Sequence, residues 1–112
     1  MPTTQLAYWT RDREKGEKIP IEYIVRKQTA LNAQLYGFDD RGALEQGKKA
    51  DVNVIDMDNL RVSPPVPHHD LPTGGTRLMQ PVTGYINTLC NGISVREFDL
   101  DTGDRPGRLV RS

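Results

Sequence analysis

The hydrophobic period of this chain changes once, just after Gly37, and that change restricts the fold more than any other feature. Before it, Ile21, Ile24, Val25 and Gln28 recur at i, i+3, i+4 and i+7, the spacing that places side chains on one face of a helix. After it, Asp51-Val52-Asn53-Val54-Ile55-Asp56 alternates apolar with polar residues, as a half-buried strand does. Helical and strand patterns are thus segregated along the chain, which predicts an α+β fold. The expected helices cover residues 5–13, 20–31 and 32–36, and the expected strands cover 51–56, 85–90 and 93–98. Pro20 fits the first turn of the second helix, Asn32 is expected to cap the third, and Gly37 to end it in the left-handed conformation. Asn91-Gly92 supplies the positive φ angles of a two-residue hairpin turn, which would gather Ile86, Thr88, Cys90, Ile93 and Val95 on one face. Ser63-Pro64-Pro65-Val66-Pro67 has no period and reads as a long loop, followed by a turn at Leu71-Pro72-Thr73-Gly74-Gly75.

A chain of 112 residues can bury one modest core, and any large catalytic apparatus would have to be shared with other chain segments. Lys+Arg 15 against Asp+Glu 15 leaves a net charge of zero, which removes the attraction that nucleic-acid and anionic-membrane binders rely on. Arg105, Arg108 and Arg111 follow Asp99, Asp101 and Asp104, so the basic tail adds no net field. No apolar run approaches the roughly 18–20 residues that span a bilayer, and Met1-Pro2-Thr3-Thr4-Gln5 lacks the basic start of a signal peptide, so a cytoplasmic location is expected. The lone Cys90 excludes an intrachain disulfide and fits a reducing compartment. At 36% hydrophobic residues the chain is lean for a self-sufficient core.

Chemistry-bearing residues are few. A hydrolytic zinc site needs about three protein ligands and an open position for water. Its only candidates are His68, His69, Asp70 and Cys90, and neighbours on an extended chain point to opposite sides, so a polar loop is the expected reading of the histidines. Ser63 and Ser94 lack a histidine with an orienting partner, and Cys90 beside a hairpin turn reads as a small core residue. Arg11 and Arg13 beside Trp9 could hold a substrate carboxylate in two-pronged fashion, or could form a surface ion-pair network with Asp12 and Glu14. Arg77 could bind Asp70 or a partner segment.

The stretches "WTRDREKG", "VRKQTALNAQLYGFDDRG", "KKADVNVIDMD", "HHDLPTGGTRL" and "TGDRPGRLVRS", in that order, resemble the C-terminal end of the amidohydrolase superfamily, in its D-aminoacylase (N-acyl-D-amino-acid deacylase) branch. Asn32 stands where that family commonly has proline. The resemblance implies that residues 1–37 end a TIM barrel and residues 38–112 form part of a composite β-sandwich. It implies an intact enzyme in which zinc-activated hydroxide attacks the amide of an N-acyl-D-amino acid and an aspartate moves the proton. The family's metal ligands all precede the segment matching Met1, so no catalytic residue and no cofactor is expected in this chain, and Trp9, Arg11 and Arg13 would lie near the barrel mouth. The alternatives are a structural or oligomerisation module and a small ligand-binding protein using Trp9 and Arg11. With its covering strands elsewhere, the chain is expected to form a homodimer, through Ile86, Ile93 and Val95 or through an Ile21/Ile24 face.

Overall fold

The computed structural model describes residues 2–110. The chain opens with a helix whose first turn, Pro2–Thr4 (α1), continues into wider π-helical turns over Gln5–Asp12. The wider winding closes with Arg13 N–H donating to the carbonyl of Tyr8 at 2.8 Å, five residues back. Helix α2 is Ile21–Gln28, and Pro20 (φ −56°, ψ 136°) precedes it in extended backbone instead of entering its first turn. The expected 20–31 helix breaks at Thr29 (φ −122°, ψ −85°), whose Oγ1 donates to Val25 O at 2.7 Å. Thr29, not Asn32, therefore heads α3, Ala30–Leu35, while the Asn32 amide donates back to Gln28 O at 3.3 Å. The end of α3 follows the expectation: Gly37 takes φ 71°, its N–H reaches Gln34 O at 3.2 Å, and Phe38 N–H reaches Ala33 O at 2.8 Å. That pair of bonds satisfies carbonyls that a helix end otherwise leaves orphaned.

Strands β1 (Val52–Ile55), β6 (Tyr85–Cys90), β7 (Ile93–Glu97) and β8 (Leu100–Asp101) form an antiparallel sheet in the order β1-β6-β7-β8. The β6–β7 hairpin turns at Asn91 (φ 51°) and Gly92 (φ 80°), the backbone its sequence demands. Its register shifts next to the turn: Leu89 faces Ser94, but Thr88 faces Arg96, so Val95 is a bulge residue and the face expected from simple alternation is altered.

Residues expected as a proline-marked loop instead form a two-stranded ribbon. β2 (Arg61–Val62) pairs with β5 (Val82–Thr83), and β3 (Val66–His68) pairs with β4 (Arg77–Met79) around a 3-10 turn at Pro72–Gly74. Ser63 N–H donates to Pro81 O at 2.9 Å across the gap between the two ladders. In a ribbon every strand is an edge, so Pro67 can direct its missing donor outward and still face Leu78.

Ala7, Ile24, Ala33 and Leu60 are the buried apolar residues among those described. Ile24 is 2% exposed beside an open Ile21, so these two do not share a single free face. The accessible surface is 8589 Å², against about 6,200 Å² for a compact monomer of this mass. The radius of gyration is 16.0 Å, where about 13 Å is usual for this length.

Candidate functional site

Where the helices meet the sheet, a tight turn at residues 56–60 is built by Asp56. Its Oδ1 accepts the backbone N–H groups of Asp58 and Asn59, both at 3.2 Å, and its Oδ2 accepts the Asn59 amide at 2.7 Å. The Asn59 hydrogen bonds hold the Asp56 carboxyl below its ordinary range. Arg11 reaches this turn from the first helix. Its Nη2 donates to Leu60 O at 2.7 Å, its Nη1 to Met57 O, and its other edge to Asp12, Nη2 to Oδ2 at 2.8 Å. The hydrogen bond with Arg11 keeps Asp12 low, and the same bond raises Arg11. Leu60 is fully enclosed, and Gly84 (φ 107°) passes so close that a Cβ there would lie 2.7 Å from Leu60 Cα. Gly84 and Tyr85 N–H groups are fixed in turn by the Asp99 carboxylate at 3.1 and 3.0 Å, and Thr3 Oγ1 lies 2.8 Å from the Tyr85 hydroxyl.

The three residues expected to meet a substrate take different places. Arg13 stacks its guanidinium 4.8 Å from the centre of the Trp9 ring and donates to Lys15 O at 2.6 Å and Glu17 O at 2.9 Å, folding the 13–17 loop. Trp9 and Arg13 are therefore together, while Arg11 turns to the 56–60 turn. Beside Arg11 an open cleft of about 430 Å³ is lined by Lys18, Ile19, Pro20, Met57 and Asp58.

A second strut, not singled out from the sequence, is Arg41. Its guanidinium pairs with Asp40 at 2.9 Å and Asp51 at 3.2 Å and lies 5.5 Å from the centre of the Phe38 ring. Asp51 accepts Asn91 N–H at 2.8 Å, Lys49 N–H donates to Asp40 O at 2.7 Å, and Gly92 N–H to Ala50 O at 2.9 Å. "DDRG" and "KKAD" are thus one structural unit, tied to the hairpin turn. The sequence signal for it was the acid–acid–base run followed ten residues after Arg41 by another acid.

The metal-ligating residue types do not converge. His69 Nδ1 lies 2.8 Å from Thr76 Oγ1, both Asp70 oxygens are taken by Arg77 at 2.7 and 2.6 Å, and His68 is exposed on β3 opposite Arg77. The Arg77 bonds hold Asp70 below the usual carboxylate range. Cys90 is half-buried beside the hairpin turn, and Ser94 Oγ donates to Asn87 Oδ1 at 3.0 Å. Among the described residues no group of three or more His, Cys, Asp or Glu side chains could hold a metal ion, so this donor set does not fit zinc. Among them also, no helix is long and apolar enough to cross a membrane.

The profile described as "Amidohydrolase family" matches residues 3–96, from the first helix through β7. The chain is 34% identical over 99 residues to the N-acyl-D-glutamate deacylase of Alcaligenes xylosoxydans xylosoxydans. That alignment takes in 87% of this chain and 18% of the relative, so the chain spans about a fifth of the length of the curated relative it matches. No solved structure matches. Arg11, Arg41 and the first three strands of the sheet, to the penultimate residue of β7, lie within the matched residues, and the chain belongs to the amidohydrolase family, as a D-aminoacylase-like member.

Proposed function

We propose that this chain is the C-terminal part of a metal-dependent amidohydrolase that hydrolyses the linear amide bond of N-acyl-D-amino acids in the cytoplasm. The observation that carries this reading is the match to an N-acyl-D-glutamate deacylase over 87% of this chain, beside a donor set that fits no metal. In this reading residues 1–37 close a TIM barrel, and residues 38–112 supply part of a β-sandwich. Zinc would be held by residues outside this chain, and no chemical step belongs to the residues present. Their task is support: Arg11 ties the first helix to the 56–60 turn, Arg41 ties the loop after α3 to Asp51 just ahead of β1, and Trp9 with Arg13 shapes the loop that follows the first helix. A substrate carboxylate at Arg11 would have to displace Asp12 or the turn carbonyls. The uncovered sheet favours a second reading, a non-catalytic assembly module.

The test is to express the coding sequence together with its in-frame upstream extension. The longer protein should bind zinc and release free D-glutamate from N-acetyl-D-glutamate. An upstream region with no such frame, or a longer protein that binds zinc and leaves every N-acyl-D-amino acid intact, would overturn the proposal.

A further inference from the structure

We propose that Asn91 is a modification site: Ala50 and Asp51 hold it as the amide in the folded chain, and where that hold opens it deamidates through a cyclic imide closed by the Gly92 nitrogen. Asparagine followed by glycine obstructs this reaction least, because glycine puts no side chain beside the attacking nitrogen. A Cβ built at Gly92 would meet only Ala50 Cβ, at 3.9 Å, so the space beside that nitrogen is otherwise open. Asn91 and Gly92 are both exposed at the tip of the β6–β7 hairpin. The Gly92 nitrogen gives its proton to solvent and attacks Asn91 Cγ; a new N–Cγ bond closes the imide, the Cγ–Nδ2 bond breaks, and Nδ2 takes up a proton and leaves as ammonia. One water then opens the ring, at the side-chain carbonyl to give aspartate or at the backbone carbonyl to give isoaspartate. Nothing is oxidised or reduced, and water is the only co-reactant.

The fold withholds the nucleophile. Gly92 N–H donates to Ala50 O at 2.9 Å, so the proton that must leave is the one this carbonyl accepts. Asn91 N–H donates to Asp51 Oδ1 at 2.8 Å, and Asp51 is itself fixed by Arg41 Nη1 at 3.2 Å. Both bonds reach the turn from outside the hairpin, so ring closure runs only from local openings in which residues 50 and 51 release it. Conversion also prevents reclosure. It places a carboxylate on the residue that the Asp51 carboxylate holds, setting like charges side by side, and the isoaspartate form adds a methylene to the backbone of a two-residue turn. Every reacting and restraining group lies between Arg41 and Gly92, and none of this depends on the proposed amide hydrolysis.

The test is incubation of the 112-residue protein at mildly alkaline pH, with peptide mapping by mass spectrometry to follow loss of the Asn91 amide. Loss in buffer should be roughly tenfold slower than in urea, and isoaspartate should be among the products. Asp51→Ala removes the acceptor of Asn91 N–H and should speed the loss in buffer about 2–10-fold with the urea rate unchanged. Arg41→Gln, which acts only through Asp51, should speed it less. Hydrogen exchange on the unsubstituted protein gives a measure free of any folding defect in the variants: the Gly92 amide should exchange more slowly than in the urea-unfolded chain. Equal rates of amide loss in buffer and urea, an Asn91 that persists in urea, an unprotected Gly92 amide, or a folded Asp51→Ala that reacts no faster than the parent would each overturn the proposal.

Discussion

Arg11 and Arg41 each tie together two segments that lie apart in the sequence and have little core between them. Each guanidinium engages an adjacent aspartate and then reaches across: Arg11 to the carbonyls of the 57–60 turn, Arg41 to Asp51. Solvent screens these pairs, so geometry more than energy is their contribution. Arg11 illustrates what a sequence conceals. Its neighbour Asp12 was visible, but its main targets lie more than 40 residues away, and a guanidinium awaiting a substrate looks the same in sequence as one already satisfied. Asp101 is the residue whose charge state is most displaced, pushed from 3.8 down to about 2, first by the hydrogen bond from Arg105 and then by Gly103 N–H. Because the folded value is depressed, the pair's favourable contribution is complete above pH 3.8 and fades as pH falls toward 2. An NMR titration should therefore find the Asp101 carboxyl with a midpoint near 2, moving back toward 3.8 in Arg105→Gln. A midpoint unaffected by that substitution would show that the ion pair does not form in solution.

Elements whose cause is local were legible. Gly37 and Asn91-Gly92 announce positive φ by residue type alone, and both the end of α3 and the β6–β7 turn fall where they require. The prediction at this scale concerns that helix end. Gly37→Ala places a Cβ in the left-handed region and should cost about 1–2 kcal/mol in urea unfolding, with an unchanged denaturant slope; an unaltered midpoint would mean that α3 does not end on this glycine in solution. Elements whose cause is distant were not legible. The prolines between residues 63 and 72 argue against a strand only where both sides must pair, and nothing in the sequence says that this ribbon has two open edges. The bulge at Val95 depends on pairing with β6; it puts Arg96 where Val95 was expected, while Thr88, Cys90 and Ile93 keep the expected side. The break at Thr29 is intermediate: a β-branched residue bonding back to Val25 is a local event, yet the helical period runs through it without a mark.

At the scale of the whole molecule, the lean composition and the structure agree. Among the described residues four apolar side chains are buried, and the accessible surface is 8589 Å². Of the candidate site, the pairing of Arg77 with Asp70 was legible from the sequence, while the targets of Arg11 in the 57–60 turn were not, because they lie far along the chain. Family membership follows from the match across helices and strands together. The central claim, that this chain supports an amidohydrolase site and does not contain one, is tested most directly by metal analysis of the purified 112-residue protein alongside an assay with N-acetyl-D-glutamate. No stoichiometric zinc and no release of D-glutamate are expected; one zinc per chain with measurable turnover would contradict the proposal.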